Sequence, residues 1–355
     1  MTAERPRLER VRAVLERLGA ATFLVTDPVN VRYLSGFESS NAALLVGADR
    51  VLLVTDGRYV EAARDVEGVE VIESARELLP FLGARLAEFA EPPVAFEAAH
   101  VTFMAYEALV AGGVELRPAA RVVEELRAVK DETELEAIRR AARVTQAVFE
   151  RLAGEQVAGE TEAELAWRLA QALHDAGADE PAFPVIVAAG PNAARPHHHA
   201  GSAEIGAGET VIVDLGAKLG GYCSDCTRTF ASGGALPSEL ERAYELCREA
   251  QAEALAAVAP GASAKEVDAI ARRRIEAEGH TVVHGLGHGV GLEVHELPRL
   301  ADTSDATLAA GNVVTVEPGV YVPGAGGIRI EDLVIVAAGG PEVLTPLSKR
   351  LAVLA

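Results

Sequence analysis

The chain has 355 residues, 49% of them hydrophobic and 24% charged, with a formal net charge of −20. That length allows two domains with cores of their own, and the composition excludes global disorder. The acidic balance excludes a phosphate backbone or an anionic membrane as partner, because no basic surface is left to neutralise either.

Residues 1–19, MTAERPRLERVRAVLERLG, predict a charged amphipathic helix without the apolar stretch of a signal peptide. No run of about 18 apolar residues appears, so no membrane span is expected. The three cysteines are too few for a disulfide framework and fit a reducing cytoplasm. Strand-like segments follow at 21–27, 42–47, 50–56, 69–74 and 92–98, with helix-like segments at 58–65, 78–89 and 102–112. The alternation predicts an α/β domain over 1–122. Its acids are scattered and it concentrates no His or Cys, so it reads as a supporting domain.

A second domain is expected over 123–355. Asp131 predicts an N-cap completed by Glu134, and Leu135, Ile138, Ala142, Val148 and Leu152 then recur at helical spacing. A helix over 161–176 opens with the capping box TEAE and stops at Gly177. A strand pair is expected at 210–230. Two more helices open with SELE at Ser238 and SAKE at Ser263, and a second strand pair covers 312–336. The order helix, helix, hairpin therefore occurs twice, which predicts an α+β domain with an internal pseudo-repeat.

Residues equidistant from a hairpin turn sit opposite one another on one face. With a turn at Leu219-Gly220, Asp214 and Asp225 are expected to face each other; Glu317 and Glu331 are equidistant from Gly324. Opposed like charges are destabilising, and burial makes them worse unless they are neutralised. Either both faces are solvated by accident or a cation lies between the acids. Seven of the nine histidines lie in two stretches, RPHHHAG (His197, His198, His199) and GHTVVHGLGHGVGLEVHELP (His280, His284, His288, His295). Four carboxylates and an imidazole suit a pair of divalent ions such as Mn, Co, Fe or Zn. Two metals about 3.5–4 Å apart can clamp an attacking water.

The remaining features have duller readings. His198 and His199 are expected as surface neighbours of His197, and His280 as a partner for the last carbonyls of its helix. No Lys-Ser/Thr follows the glycines of GHGVG, so a phosphate loop fails; they are expected to let the backbone approach metals and peptide. In CSDC, Cys223 shares the face of Asp225 and Cys226 points away, so the two cannot form a redox pair and read as small buried residues.

The motifs AFPVIVAAGPNAARPH, VDLGAKLGGYCSDCTRTF, HGLGHGVGLEVHELP, VEPGVYVP and GGIRIED, in that order, resemble the pita-bread-fold metallopeptidases, and most nearly their proline-specific branch. DPVNVRYLSGF and LLVTDGRYVEAA resemble the creatinase-type N-terminal domain those enzymes carry. The resemblance covers essentially the whole chain. It implies that Asp214 binds one metal, that Asp225 and Glu331 bridge two, and that His288 and Glu317 complete the second. It further implies a water activated between the metals as nucleophile and Glu317 as general base. His295 would steady the oxyanion, His197 and His284 would line the substrate site, and Arg329 would orient Glu331 and substrate. The implied activity is Xaa-Pro aminopeptidase on short peptides with proline second, with strict Xaa-Pro dipeptidase (prolidase) as the alternative. A homodimer is implied too, as is an N-terminal domain that limits substrate length. A catalytically silent binding protein is disfavoured by the complete ligand set, and a methionine aminopeptidase by the long N-terminal domain.

Overall fold

In the computed structural model, which describes residues 4–354, the chain divides into two compact units between Arg127 and Ala128. The first runs α1 (Glu4–Leu18), β1 (Thr22–Val25), α2 (Pro28–Ser35), β2 (Ala42–Val46), β3 (Val51–Asp56), α3 (Val60–Ala63), β4 (Glu70–Ser74), α4 (Leu78–Phe89), β5 (Val94–Glu97), α5 (Phe103–Val110), β6 (Leu116–Ala119) and α6 (Val122–Ala128). Its strands form one mixed sheet in the order β4-β3-β2-β1-β5-β6. Three elements were not expected, α2, β6 and α6. α2 starts because Asp27 caps it, accepting from Val29 N–H at 2.9 Å, and because Pro28 presets the first turn; β6 is a short edge strand carrying a proline. The division also falls later than the expected 122/123. Arg127 is 2% exposed and donates from Nη1 to Asn30 Oδ1 at 2.8 Å, which ties α6 to the first unit.

The second unit runs α7 (Glu132–Leu152), α8 (Glu162–Asp175), β7 (Glu180–Pro181), β8 (Ile186–Ala189), β9 (Thr210–Leu215), β10 (Ala217–Leu219), β11 (Tyr222–Cys223) and β12 (Cys226–Ser232). It continues with α9 (Ser238–Ala256), α10 (Ala264–Ala277), β13 (Gly287–Gly289), β14 (Glu296–Leu300), β15 (Val313–Val316), β16 (Gly319–Val322), β17 (Gly326–Arg329), β18 (Asp332–Ile335), β19 (Glu342–Val343) and β20 (Val353–Leu354). The order helix, helix, hairpin does recur, as α7, α8, β9–β12 and then α9, α10, β15–β18.

Period-two alternation explains the packing. Val211, Val213, Leu215, Cys226 and Phe230 point outward into a core with α7 and α8. Val314, Val316, Ile328, Ile330 and Val334 point into a core with α9 and α10. Truncating a fully buried residue such as Ile330 to alanine costs about 2–5 kcal/mol. The opposite faces carry Asp214, Thr227, Thr315, Glu317, Arg329 and Glu331. These faces meet: Glu331 N–H donates to Thr227 O at 3.1 Å, and Thr229 Oγ donates to Arg329 O at 2.9 Å. The site is built at this junction between the two halves.

Capping follows the sequence at α7 and α8, where both boxes form. At α9 it does not, because Pro237 occupies the N-cap and Ser238 is already helical. At α10 Ser263 accepts from Glu266 N–H at 3.4 Å, which is half of a box. At the end of α10 it is the His280 backbone N–H, not its ring, that donates to Ile275 O at 3.4 Å.

Candidate metal centre

The two hairpins deliver their acids differently. In the second, Gly319 pairs with Arg329 and Val316 with Asp332, the register that sets Glu317 against Glu331 as expected. In the first, Asp214 pairs with Thr227, not with Asp225. The turn lies one residue later than expected, at Gly220-Gly221, with φ of 58° and 85°. A two-residue hairpin loop of this kind needs two positive-φ residues, and only the Gly-Gly step supplies them. Asp225 is therefore the diagonal neighbour of Asp214, still on the same face.

Asp214, Asp225 and Glu331 are buried, and one carboxylate oxygen of each lies within 4.8 Å of the others. His288 adds its Nε2, 3.2 Å from Glu317 Oε1 and 3.7 Å from Asp225 Oδ2. Its Nδ1 points at Gly289 O, 3.1 Å away, and so carries the proton, which turns Nε2 toward the acids. The five residues named for metal binding thus converge. The glycines flanking His288 approach the protein's own backbone, contrary to the expected role toward metal and peptide. A Cβ on Gly287 would lie 2.1 Å from Thr315 O, and one on Gly289 2.1 Å from Leu297 O.

Arg329 is 4% exposed and reaches Asp214 first, Nη2 to Oδ2 at 2.6 Å. It does not touch Glu331 directly. Its Nε donates to Thr227 Oγ1 at 3.2 Å, and that hydroxyl donates to Glu331 Oε2 at 2.7 Å. Arg329 Nη1 donates to Tyr321 OH at 3.3 Å; Tyr321 OH in turn lies 2.9 Å from His284 Nε2, whose Nδ1 faces Gly285 O at 2.8 Å. Both nitrogens of His284 are engaged, so it joins the site through Tyr321. His295 is exposed, its ring centroid 4.3 Å from that of His288. His197 is exposed and close enough to His295 to repel its charged form. His198 is not a bystander: its Nε2 lies 2.7 Å from Glu162 Oε2.

Thr227, Tyr321, Thr315 and Glu162 were missed in the sequence. Thr227 and Tyr321 were findable in principle, since each shares a strand face with a named residue, Asp225 and Arg329. Thr315 sits two residues before Glu317 and donates to it at 3.1 Å. The cysteines behave as expected: Cys223 and Cys226 sit in separate cores, and burial pushes the Cys223 thiol up to about 12.

Electrostatically the pocket is short of positive charge. Burial, and then repulsion between the acids, pushes Asp225 and Glu331 well above the usual carboxylate range. Asp214 is raised as well, burial outweighing the Arg329 guanidinium. Glu317 goes the other way. Burial would raise it, but the His288 hydrogen bond and charge bring it down to about 2, while Glu317 raises His288 against the burial that would lower it. The His295 ring, exposed but packed on that of His288, is lowered by partial desolvation and then by the His288 charge, which favours its neutral form. Asp214 Oδ1 and Glu331 Oε1 are buried and have no hydrogen-bond partner among the described residues. Buried acceptors of this kind are costly, and hard divalent cations suit such a carboxylate-rich donor set. The residues fit the metals.

Residues 136–338 match the family described as metallopeptidase family M24. The chain belongs to that family. Residues 7–129 match the creatinase/prolidase N-terminal domain, so the second unit is the pita-bread fold and the first the creatinase-type domain. An Xaa-Pro dipeptidase from Pyrococcus furiosus is 33% identical over 353 residues, 97% of this chain and 99% of that one. Among solved structures, an Xaa-Pro dipeptidase from Bacillus anthracis has a TM-score of 0.94 at 35% identity, covering 99% of this chain and 100% of its own. An X-Pro aminopeptidase from Thermotoga maritima has a TM-score of 0.86 at 33% identity, covering 95% and 99%. M24 metallopeptidases depend on divalent metals, in keeping with the acidic cluster. Among the described residues no helix is long and apolar enough to cross a membrane.

Proposed function

We propose that the chain is an Xaa-Pro dipeptidase that hydrolyses the bond between a first residue and a following proline, using two divalent cations, manganese in preference to cobalt, zinc or iron. The sequence put the aminopeptidase first; the relatives named dipeptidase, matched over nearly their full length, favour the alternative. What carries the reading is the convergence of buried Asp214, Asp225 and Glu331 with half-buried His288 and Glu317 in one cluster built from both halves of the fold.

In this reading Asp214 would hold one cation, Asp225 and Glu331 would be shared by both, and His288 with Glu317 would hold the other. The cations supply Lewis-acid polarisation of the scissile carbonyl and lower the pKa of the attacking water. Glu317, whose Oε1 accepts from Thr315 Oγ1 at 3.1 Å, would take the proton from that water and return it to the proline nitrogen as the C–N bond breaks. Neutral His295 donates to the developing oxyanion. Arg329 fixes Asp214 directly and Glu331 through Thr227, while His197, and His284 through Tyr321, line the substrate site. A cytoplasmic homodimer completes the proposal, with sedimentation equilibrium as the check on its oligomeric state.

Hydrolysis of Ala-Pro compared with Ala-Pro-Gly-Gly by the manganese-loaded protein tests the reading. Turnover confined to the dipeptide is expected. Comparable turnover of the tetrapeptide would restore the aminopeptidase, and failure on both would remove Xaa-Pro hydrolysis altogether.

A further inference from the structure

Glu162 is the first residue of α8, and its side chain is 0% exposed. Nothing in the proposed chemistry uses it, yet it is saturated with donors. Oε1 accepts from Ala189 N–H at 2.9 Å and from Asn192 Nδ2 at 3.1 Å. Oε2 accepts from Gly201 N–H at 3.2 Å and faces His198 Nε2 at 2.7 Å. These donors come from both ends of the segment 189–201, so one buried carboxylate clips the base of the loop. A further attachment of the loop is on the metal side, where Pro196 O accepts from Arg329 Nη1 at 3.3 Å. His197 lies between these two anchors, exposed, beside His295.

We infer that Glu162 and His198 are positioning residues for His197, holding the loop so that the His197 ring is presented to the substrate. The inference rests on the proposed reading of His197 as a substrate-site residue. A carboxylate is required for geometric reasons. Glutamine would place an NH2 where donors already converge on an oxygen, and an unmatched buried donor is costly. His198 could adapt by changing tautomer, but the Ala189 and Gly201 N–H groups cannot.

The test is steady-state hydrolysis of Ala-Pro by manganese-loaded wild type, Glu162→Gln, His197→Ala, His198→Ala and the Glu162→Gln/His197→Ala double variant. A group that only places a binding residue changes KM and leaves kcat. Glu162→Gln and His197→Ala are each expected to raise KM about tenfold with kcat within about threefold, and His198→Ala to raise it by a smaller factor. The double variant should resemble His197→Ala within about twofold, because residues acting through one another are not additive. Hydrogen exchange at 195–201 should quicken in Glu162→Gln while manganese content stays at the wild-type level. Additive effects, an unchanged KM in Glu162→Gln, or loss of bound manganese would each overturn the inference. If His197→Ala alone leaves KM unchanged, the reading of His197 fails and the inference with it. If Glu162→Gln does not fold, His198→Ala with its own His197→Ala double variant decides by the same criteria.

Discussion

Replacing Thr227 by valine removes one hydroxyl and keeps the shape of the side chain. The hydroxyl is fully buried and joins the two halves of the site, donating to Glu331 Oε2 at 2.7 Å and accepting from Arg329 Nε at 3.2 Å. Hydrogen bonds to charged groups contribute about 1.5–3 kcal/mol each, and relief from burying the hydroxyl offsets about 1–3 kcal/mol. A net loss of about 2–3 kcal/mol in the metal-free protein follows. Glu331 would also lose the group that orients it, and partners of this kind typically contribute about 10–100-fold in metal affinity. Calorimetric titration of the metal-free protein with manganese, beside thermal melts of both forms, reads both effects. Thr227→Ser should recover most of each. Valine and threonine proteins with equal manganese affinity and equal Tm would refute the role assigned to this hydroxyl.

Other outcomes follow from the same geometry. Glu317→Gln should lower kcat by about 10²–10⁴ on any Xaa-Pro substrate, with KM far less affected; a kcat near wild type would remove Glu317 as the proton carrier. Gly287→Ala places a Cβ 2.1 Å from Thr315 O and 2.7 Å from Thr315 Oγ1, so the strand bearing His288 must shift. A loss of about 3 kcal/mol and weakened manganese binding are expected, and a Tm equal to wild type would contradict the packing. Removing the cations with a chelator should lower Tm, because an ion present at about 1,000 times its Kd stabilises by about 4 kcal/mol; a Tm indifferent to chelation would speak against the site. The fourth outcome concerns acid. Burial would raise the Glu162 pKa, but hydrogen bonds led by Ala189 N–H and His198 hold it below the ordinary value. Its stabilisation is therefore present above the unfolded carboxylate pKa and is lost as pH falls through the folded one. The Tm gap between wild type and Glu162→Gln should narrow from pH 7 to pH 3, and a constant gap would contradict this.

Hydrophobic alternation made the two hairpins legible, since Val211, Val213 and Leu215 must share a face that excludes Asp214. The second register followed from symmetry about Gly324. The first was misplaced by one turn residue because Leu219-Gly220 and Gly220-Gly221 have similar composition, and only the positive φ at both glycines separates them. Same-face membership survived the error, since moving the turn by one residue shifts the pairing by two. Pro237 displaced the cap expected at Ser238 because proline at the boundary leaves the serine inside the helix. Arg329 was placed at the site, but its partner was not: which carboxylate it meets depends on how the two hairpins dock, and that docking brings Asp214 nearer than Glu331. Glu162 was invisible for the same reason, because a glutamate after a capping threonine reads as an ordinary first-turn acid until the loop folds over it.

Diffraction at the manganese absorption edge from crystals grown with manganese is the most direct test. Two anomalous peaks about 3.5–4 Å apart are expected, with Asp225 and Glu331 touching both, Asp214 one, and His288 with Glu317 the other. No peak among these side chains, or manganese held elsewhere, would contradict the account.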